Sequence, residues 1–225
     1  MFEPIVAGGI RFLIRALTGA RALWVGTEPA PTPRVYFGNH ASHGDFVLIW
    51  SALPRALRRR ARPVAGADYW NRDAIRRYVI RAVFNGVLIE RDAAKRTEDA
   101  VTTLARAVDE GASLIIFPEG TRNPGEGLLP FKSGIYHLGR ERPGLQFVPT
   151  WLDNLQRVMP KGQLLPLPLL CTATFGAPLT VREGETKDAF LERARDALVA
   201  LAPAEFRAEF AAQRSEEQLA AGDEE

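Results

Sequence analysis

At 225 residues, with 46% apolar and 25% charged side chains, the chain has the composition of a globular protein with one sizeable core, which excludes a disordered or fibrous chain. Its formal charge of +2 hides an asymmetry: Ser215 to Glu225 hold five acidic groups and no basic one, so the rest of the chain carries about +7. A single cysteine, Cys171, permits no internal disulfide, and three histidines without clustered spacing give no reason to expect a metal site.

Residues 2–25 are predicted as an amphipathic helix. Arg11, Arg15 and Arg21 share one arc, and Phe2, Ile5, Val6, Ile10, Leu13, Ile14, Leu17 and Trp24 fill most of the remainder. The arginines, with Gly8, Gly9 and Gly19, interrupt it too often for a membrane span. Glu3 and Arg11 do not fit a signal peptide. Two readings stand, a helix packed on the domain and one lying in a membrane interface. The chain then divides into the N-terminal helix at 1–28, a globular domain at 29–212, and an acidic, disordered tail at 213–225.

After the proline-rich link from Pro29 to Pro33, strand and helix patterns alternate. Strands are predicted at 34–38, 63–65, 86–90, 113–117, 146–152 and 169–175. Helices are predicted near 46–57, 72–84, 97–109 and 187–201. Such alternation predicts an α/β fold, a largely parallel central sheet flanked by helices. Between Arg55 and Arg81 nine arginines face only Asp68 and Asp73. They read as a solvated face, or as a surface for anionic lipid headgroups at about 1 kcal/mol per basic residue. No nucleic-acid motif accompanies them, and no nucleic acid is expected as a partner. Cys171 lies in an apolar run and reads as a core residue.

The chemistry concentrates at the ends of three predicted strands. His40 follows the first and precedes Asp45 by five residues. On a regular helix that spacing would turn the two side chains apart. They meet only if His40 sits in the strand-to-helix turn and Asp45 in the first helical turn. The carboxylate then fixes the imidazole tautomer, and the second ring nitrogen can take a proton from a hydroxyl. The plainer alternative is a loop histidine beside a helix-start aspartate. His43, two residues from Asp45, reads as a helix-start residue, and Ser42 as a capping one. The Gly-x-Ser-x-Gly elbow of serine hydrolases is absent. His137 reads as structural. In a parallel sheet the carboxyl ends of the strands share one rim, so the topology should bring His40, Arg91 and the 119–122 segment together.

These motifs, in this order, resemble the glycerolipid acyltransferase family that includes the 1-acylglycerol-3-phosphate acyltransferases. His40 to Asp45 matches its His-x4-Asp block, Gly86 to Arg91 its second block, and Phe117-Pro118-Glu119-Gly120-Thr121-Arg122 its third. Phe147-Val148-Pro149 matches the fourth more loosely. The resemblance covers about residues 34–152. Gly44 departs from it, standing where many members carry a bulky apolar residue.

The resemblance implies transfer of a fatty acyl group from an acyl thioester, acyl-CoA or acyl-carrier protein, to a hydroxyl of a phosphate-bearing glycerolipid such as lysophosphatidate. No cofactor beyond these co-substrates is implied. His40 and Asp45 are then the catalytic pair. Arg91 and Arg122 suit an acceptor phosphate, because a guanidinium pairs two phosphate oxygens at once. Glu119 binds an acceptor hydroxyl or holds an arginine, Gly120 and Thr121 line the site, and Lys132 is a further phosphate candidate. An anionic membrane surface is the expected partner, and the cytoplasmic face of the membrane, held peripherally, the expected location. Two alternatives stay open, a thioesterase or lipid hydrolase using the same pair with water, and a non-catalytic membrane-surface module.

Overall fold

The computed structural model describes residues 6, 8–9, 21–42, 44–92, 98–123, 125, 127–153 and 171–222. Seven strands form one sheet: β1 (Arg21–Trp24), β2 (Arg34–Gly38), β3 (Ala61–Gly66), β4 (Val87–Ile89), β5 (Ser113–Ile116), β6 (Gln146–Asp153) and β7 (Thr172–Phe175). Their spatial order is β1-β7-β6-β2-β5-β3-β4. β6, β2, β5, β3 and β4 run parallel to one another, while β7 pairs antiparallel with β6 and parallel with β1. The sheet is therefore largely parallel, with two reversed strands at one edge.

The central strands read as continuous apolar runs because both faces are covered. Along β2, Val35 and Phe37 join the core on one face with Leu114, Ile116 and Phe147. Tyr36 points the other way, into a core with Ile115, Val148, Leu152 and Phe175. Helix α1 (Asp45–Ala52) supplies Leu48 and Ile49 to the second core. Pro54 ends that helical run: Leu53 before it is extended at φ −64°, ψ 143°, and α2 (Arg55–Arg58) restarts after it. The single predicted helix at 46–57 is thus two.

Between β3 and β4 lie α3 (Ala67–Trp70), α4 (Ala74–Tyr78) and a π turn at Val79–Val83. α5 (Ala100–Asp109), capped by Asp99, and α6 (Gly134–Glu141) cover the first core with α7 (Lys187–Val199) and α8 (Ala204–Gly222).

Three expectations need correction. The helix predicted at 2–25 does not reach its C-terminal end, because Arg21–Trp24 is strand β1, with Trp24 stacked on Phe175 at 4.2 Å. Four residues of strand alternation were absorbed into a longer helical pattern. Val6, Gly8 and Gly9 are helical, and the remainder of 2–20 lies outside the described residues. α6 was not anticipated, because its buried side chains are only Ile135 and Leu138. At the other end, helix α8 continues to Gly222, where a disordered tail was expected from 213.

Candidate active site

Four parallel strands deliver residues to one rim of the sheet. Asn39 and His40 follow β2, Asp68 to Arg72 follow β3, Arg91 follows β4, and Phe117 to Arg122 follow β5. The sequence anticipated three of these four. The β3 contribution was missed because its arginine and aspartate lay inside a run read as a basic surface.

Asp45 opens α1, and its carboxylate turns back over the preceding loop. Its Oδ2 accepts from the Ala41 amide at 2.7 Å and the Ser42 amide at 2.8 Å, and lies 2.8 Å from His40 Nδ1. The carboxylate is buried, and two backbone donors already fix it as an acceptor. Nδ1 of His40 must then carry the proton, which leaves Nε2 as the free base. The geometry inferred from spacing is therefore present. His40 also stacks on Phe117 with ring centroids 4.2 Å apart. His43 lies outside the described residues.

Glu119 does not do what was expected of it. Its Oε1 accepts from the His40 amide at 2.9 Å and its Oε2 from the Leu129 amide at 3.0 Å. At 2% exposure it reaches neither solvent nor, among the described residues, an arginine. It braces the His40 turn against the loop before α6. Burial raises its carboxyl above the usual range, and the two amide hydrogen bonds only partly offset this. Two further ties hold the turn: the Asn123 amide donates to the His40 carbonyl at 2.7 Å, and Asn39 exchanges hydrogen bonds with Leu152.

Arg91 is also committed. Its Nε and Nη2 pair with the Asp68 carboxylate at 2.8–3.0 Å, and its Nη1 donates to the Gly120 carbonyl at 3.1 Å. Desolvation pushes Asp68 up, but the Arg91 hydrogen bonds and charge outweigh it and leave the carboxyl below its ordinary value. A Cβ on Gly66 would stand 2.5 Å from Asp68 and 2.6 Å from Arg91, so a larger residue there would have to displace the pair. With its fork occupied, Arg91 has little left for a bidentate phosphate contact. Arg122, exposed, has no ion-pair partner among the described residues.

Two pockets meet at His40. The first, about 330 Å³, is polar and lined by Asp68, Tyr69, Arg72, Arg91, Thr121 and Arg122, among others. The second, about 300 Å³, is lined mainly by apolar groups, including Val64, Ile89, Val101, Leu104 and Ile135. His40, Arg91 and Gly120 border both. Lys132 borders only the apolar one. Its stem lies against Gly120, which adopts φ +71°, and a Cβ there would meet Lys132 Cε at 2.7 Å. Cys171 is buried away from this rim, and burial pushes its thiol up to about 11. His137 is exposed on α6 and borders neither pocket.

A largely parallel sheet thus carries a His–Asp pair at its carboxyl rim, between a polar and an apolar pocket. The sequence model described as Acyltransferase matches residues 23–153, and the chain belongs to that family. It is 33% identical over 110 residues to the 1-acyl-sn-glycerol-3-phosphate acyltransferase of Haemophilus influenzae, covering 46% of this chain and 41% of that protein. It is 30% identical over 184 residues to the protein of the same name from Cocos nucifera, covering 75% of this chain and 56% of that one. These matches thus span about half the length of those relatives. The crystal structure of the 1-acyl-sn-glycerophosphate acyltransferase PlsC from Thermotoga maritima superposes with a TM-score of 0.66 at 20% identity, over 87% of this chain and 78% of that one, and shares the fold.

Proposed function

We propose that this protein is an O-acyltransferase that moves a fatty acyl group from an acyl thioester to a hydroxyl of a phosphate-bearing glycerolipid such as lysophosphatidate. The observation that carries this reading is the contact of His40 Nδ1 with buried Asp45, which leaves Nε2 to act as the base where a polar and an apolar pocket meet. Nε2 takes the proton of the acceptor hydroxyl as its oxygen attacks the thioester carbonyl. Asp45 stabilises the imidazolium that forms. The tetrahedral adduct collapses by breaking the C–S bond, and His40 returns the proton to the departing thiolate. Such base catalysis is typically worth about 10² to 10⁴ in rate.

Arg122, with Arg72 beside it in the polar pocket, takes the acceptor phosphate. Arg91 shapes that pocket through Asp68, and Gly120 and Thr121 form its wall. The apolar pocket takes the start of the acyl chain, with Lys132 on the donor side. The donor is acyl-CoA or acyl-carrier protein. The protein acts peripherally at the cytoplasmic face of a membrane. No helix among the described residues is long and apolar enough to cross a bilayer.

The test is an acyl-transfer assay with purified protein, a thioester donor, and a panel of lysophospholipids and glycerol phosphate. Lipid product matching thiol release is the expected result. Thiol release without lipid product would replace this reading with a hydrolase. Vesicle binding without turnover of any acceptor would replace it with a binding module.

A further inference from the structure

The segment joining β3 to β4 carries features the polar pocket does not use. Tyr69, Trp70 and Arg72 line the pocket, and α4 then leads away from it. Ile75 is 77% exposed and Tyr78 40% exposed, with Ile75 the most exposed large apolar residue described. Ile80 and Phe84, just beyond, are buried. Ile75 and Tyr78, three residues apart on α4, lie on one side of it, and Arg72 sits in the turn just before the helix. Arg77, on α4, and Arg81, in the π turn after it, are exposed, and among the described residues they donate to neutral oxygens of Asn71. Arg58 and Arg62, by contrast, are used internally. The first donates to the Leu53 carbonyl and lies over the Trp50 ring, and the second bonds Asn85 and Glu110. The basic run is therefore not one uniform face. Within it, α4 and the π turn after it join outward charge to two exposed apolar side chains.

We propose that α4, with the turns on either side of it, is a docking surface for an anionic bilayer, with Ile75 and Tyr78 entering the headgroup boundary and Arg72, Arg77 and Arg81 meeting lipid phosphates. Exposed apolar groups flanked by unneutralised guanidinium groups match a negatively charged interface, and tyrosine is at home there. The placement rests on the reading that the polar pocket receives a lipid headgroup. A lipid lifted from the bilayer at α4 would then meet Arg72 first and the remaining pocket residues next.

The experiment uses the full chain and vesicles of phosphatidylcholine with and without phosphatidylglycerol. Ile75→Ser/Tyr78→Ser should lower partitioning onto anionic vesicles by about tenfold, a loss that salt does not mask. Arg77→Gln/Arg81→Gln should lower it at low salt and little at high salt, because screening removes the electrostatic part. Arg140→Gln, an exposed charge on α6, should leave partitioning unchanged. Transfer to a bilayer-embedded acceptor should fall with partitioning in Ile75→Ser/Tyr78→Ser, while transfer to a short-chain, monomeric lysophosphatidate should not. Unchanged partitioning in the folded Ile75→Ser/Tyr78→Ser protein would overturn the proposal. Reduced partitioning in a protein that acylates no lipid would uphold the docking surface and overturn the acyltransferase reading instead.

Discussion

Asp45→Asn separates two things the carboxylate does for His40, holding its tautomer and stabilising its charge. In many His–carboxylate pairs an asparagine can flip and present its NH2 to the imidazole. Here the oxygen facing His40 also accepts the Ala41 and Ser42 amides. An NH2 in that place would confront two N–H donors, so the asparagine is held with its carbonyl inward and the tautomer survives. The loss is then electrostatic. Opposite charges about 4 Å apart attract by about 4 kcal/mol at an effective dielectric of 20. About half of that persists as a neutral hydrogen bond, since charge-assisted bonds are roughly twice as strong. The remaining 2 kcal/mol or so predicts a fall in kcat of about 30-fold. Asp45→Ala removes the orientation as well and strands two amides, so it should approach His40→Ala. The assay is kcat at saturating donor and acceptor, with thermal unfolding to show that each variant is folded. An Asp45→Asn protein within threefold of wild type would show that the charge is not used. One as inactive as His40→Ala would show that the amides do not lock the asparagine.

Glu119→Gln keeps one of the two amide contacts and leaves the other N–H facing an NH2, so it should destabilise the fold by about 1–3 kcal/mol in denaturant unfolding, with kcat falling as the His40 turn loosens. Because burial raises the folded-state value of Glu119, its contribution is full below the ordinary glutamate pKa of about 4.3 and is lost as pH rises through the raised value. The stability of wild type relative to Glu119→Gln should therefore decline from acid towards neutral pH. Arg122→Ala should raise the acceptor KM with the donor KM nearly unchanged, and Arg122→Lys should recover little, since a point charge does not reproduce the fork. Gly120→Ala, forced to hold φ +71° against the Lys132 stem, should cost about 1–2 kcal/mol in stability and disturb both substrates in steady-state kinetics.

The central strands were legible because their apolar runs are a consequence of burial on both faces, and the rim followed from the parallel topology. The His40–Asp45 contact was legible because a five-residue spacing leaves one arrangement in which the pair can meet. Glu119 was misjudged because its partners are backbone amides 79 residues before it and 10 after it, and amides carry no sequence signature. The Asp68–Arg91 pair depends on the close approach permitted by Gly66, which no periodicity reveals. Arg72 was visible only as one arginine among nine. β1 was lost because a four-residue strand supplies too few alternations to outweigh the helical pattern before it.

The turn that carries His40 is fastened at points far apart along the chain. Glu119 holds it across 79 residues, and Asn39 ties it to Leu152 across 113. Contacts of such separation form late, after the loops between them have been closed. A nascent chain that has not yet reached Leu152 contains His40, Asp45 and the whole 117–122 segment, yet lacks the last fastening that fixes the base in place. The position of His40 therefore depends on the arrival of β6, a strand made long after the turn it fastens.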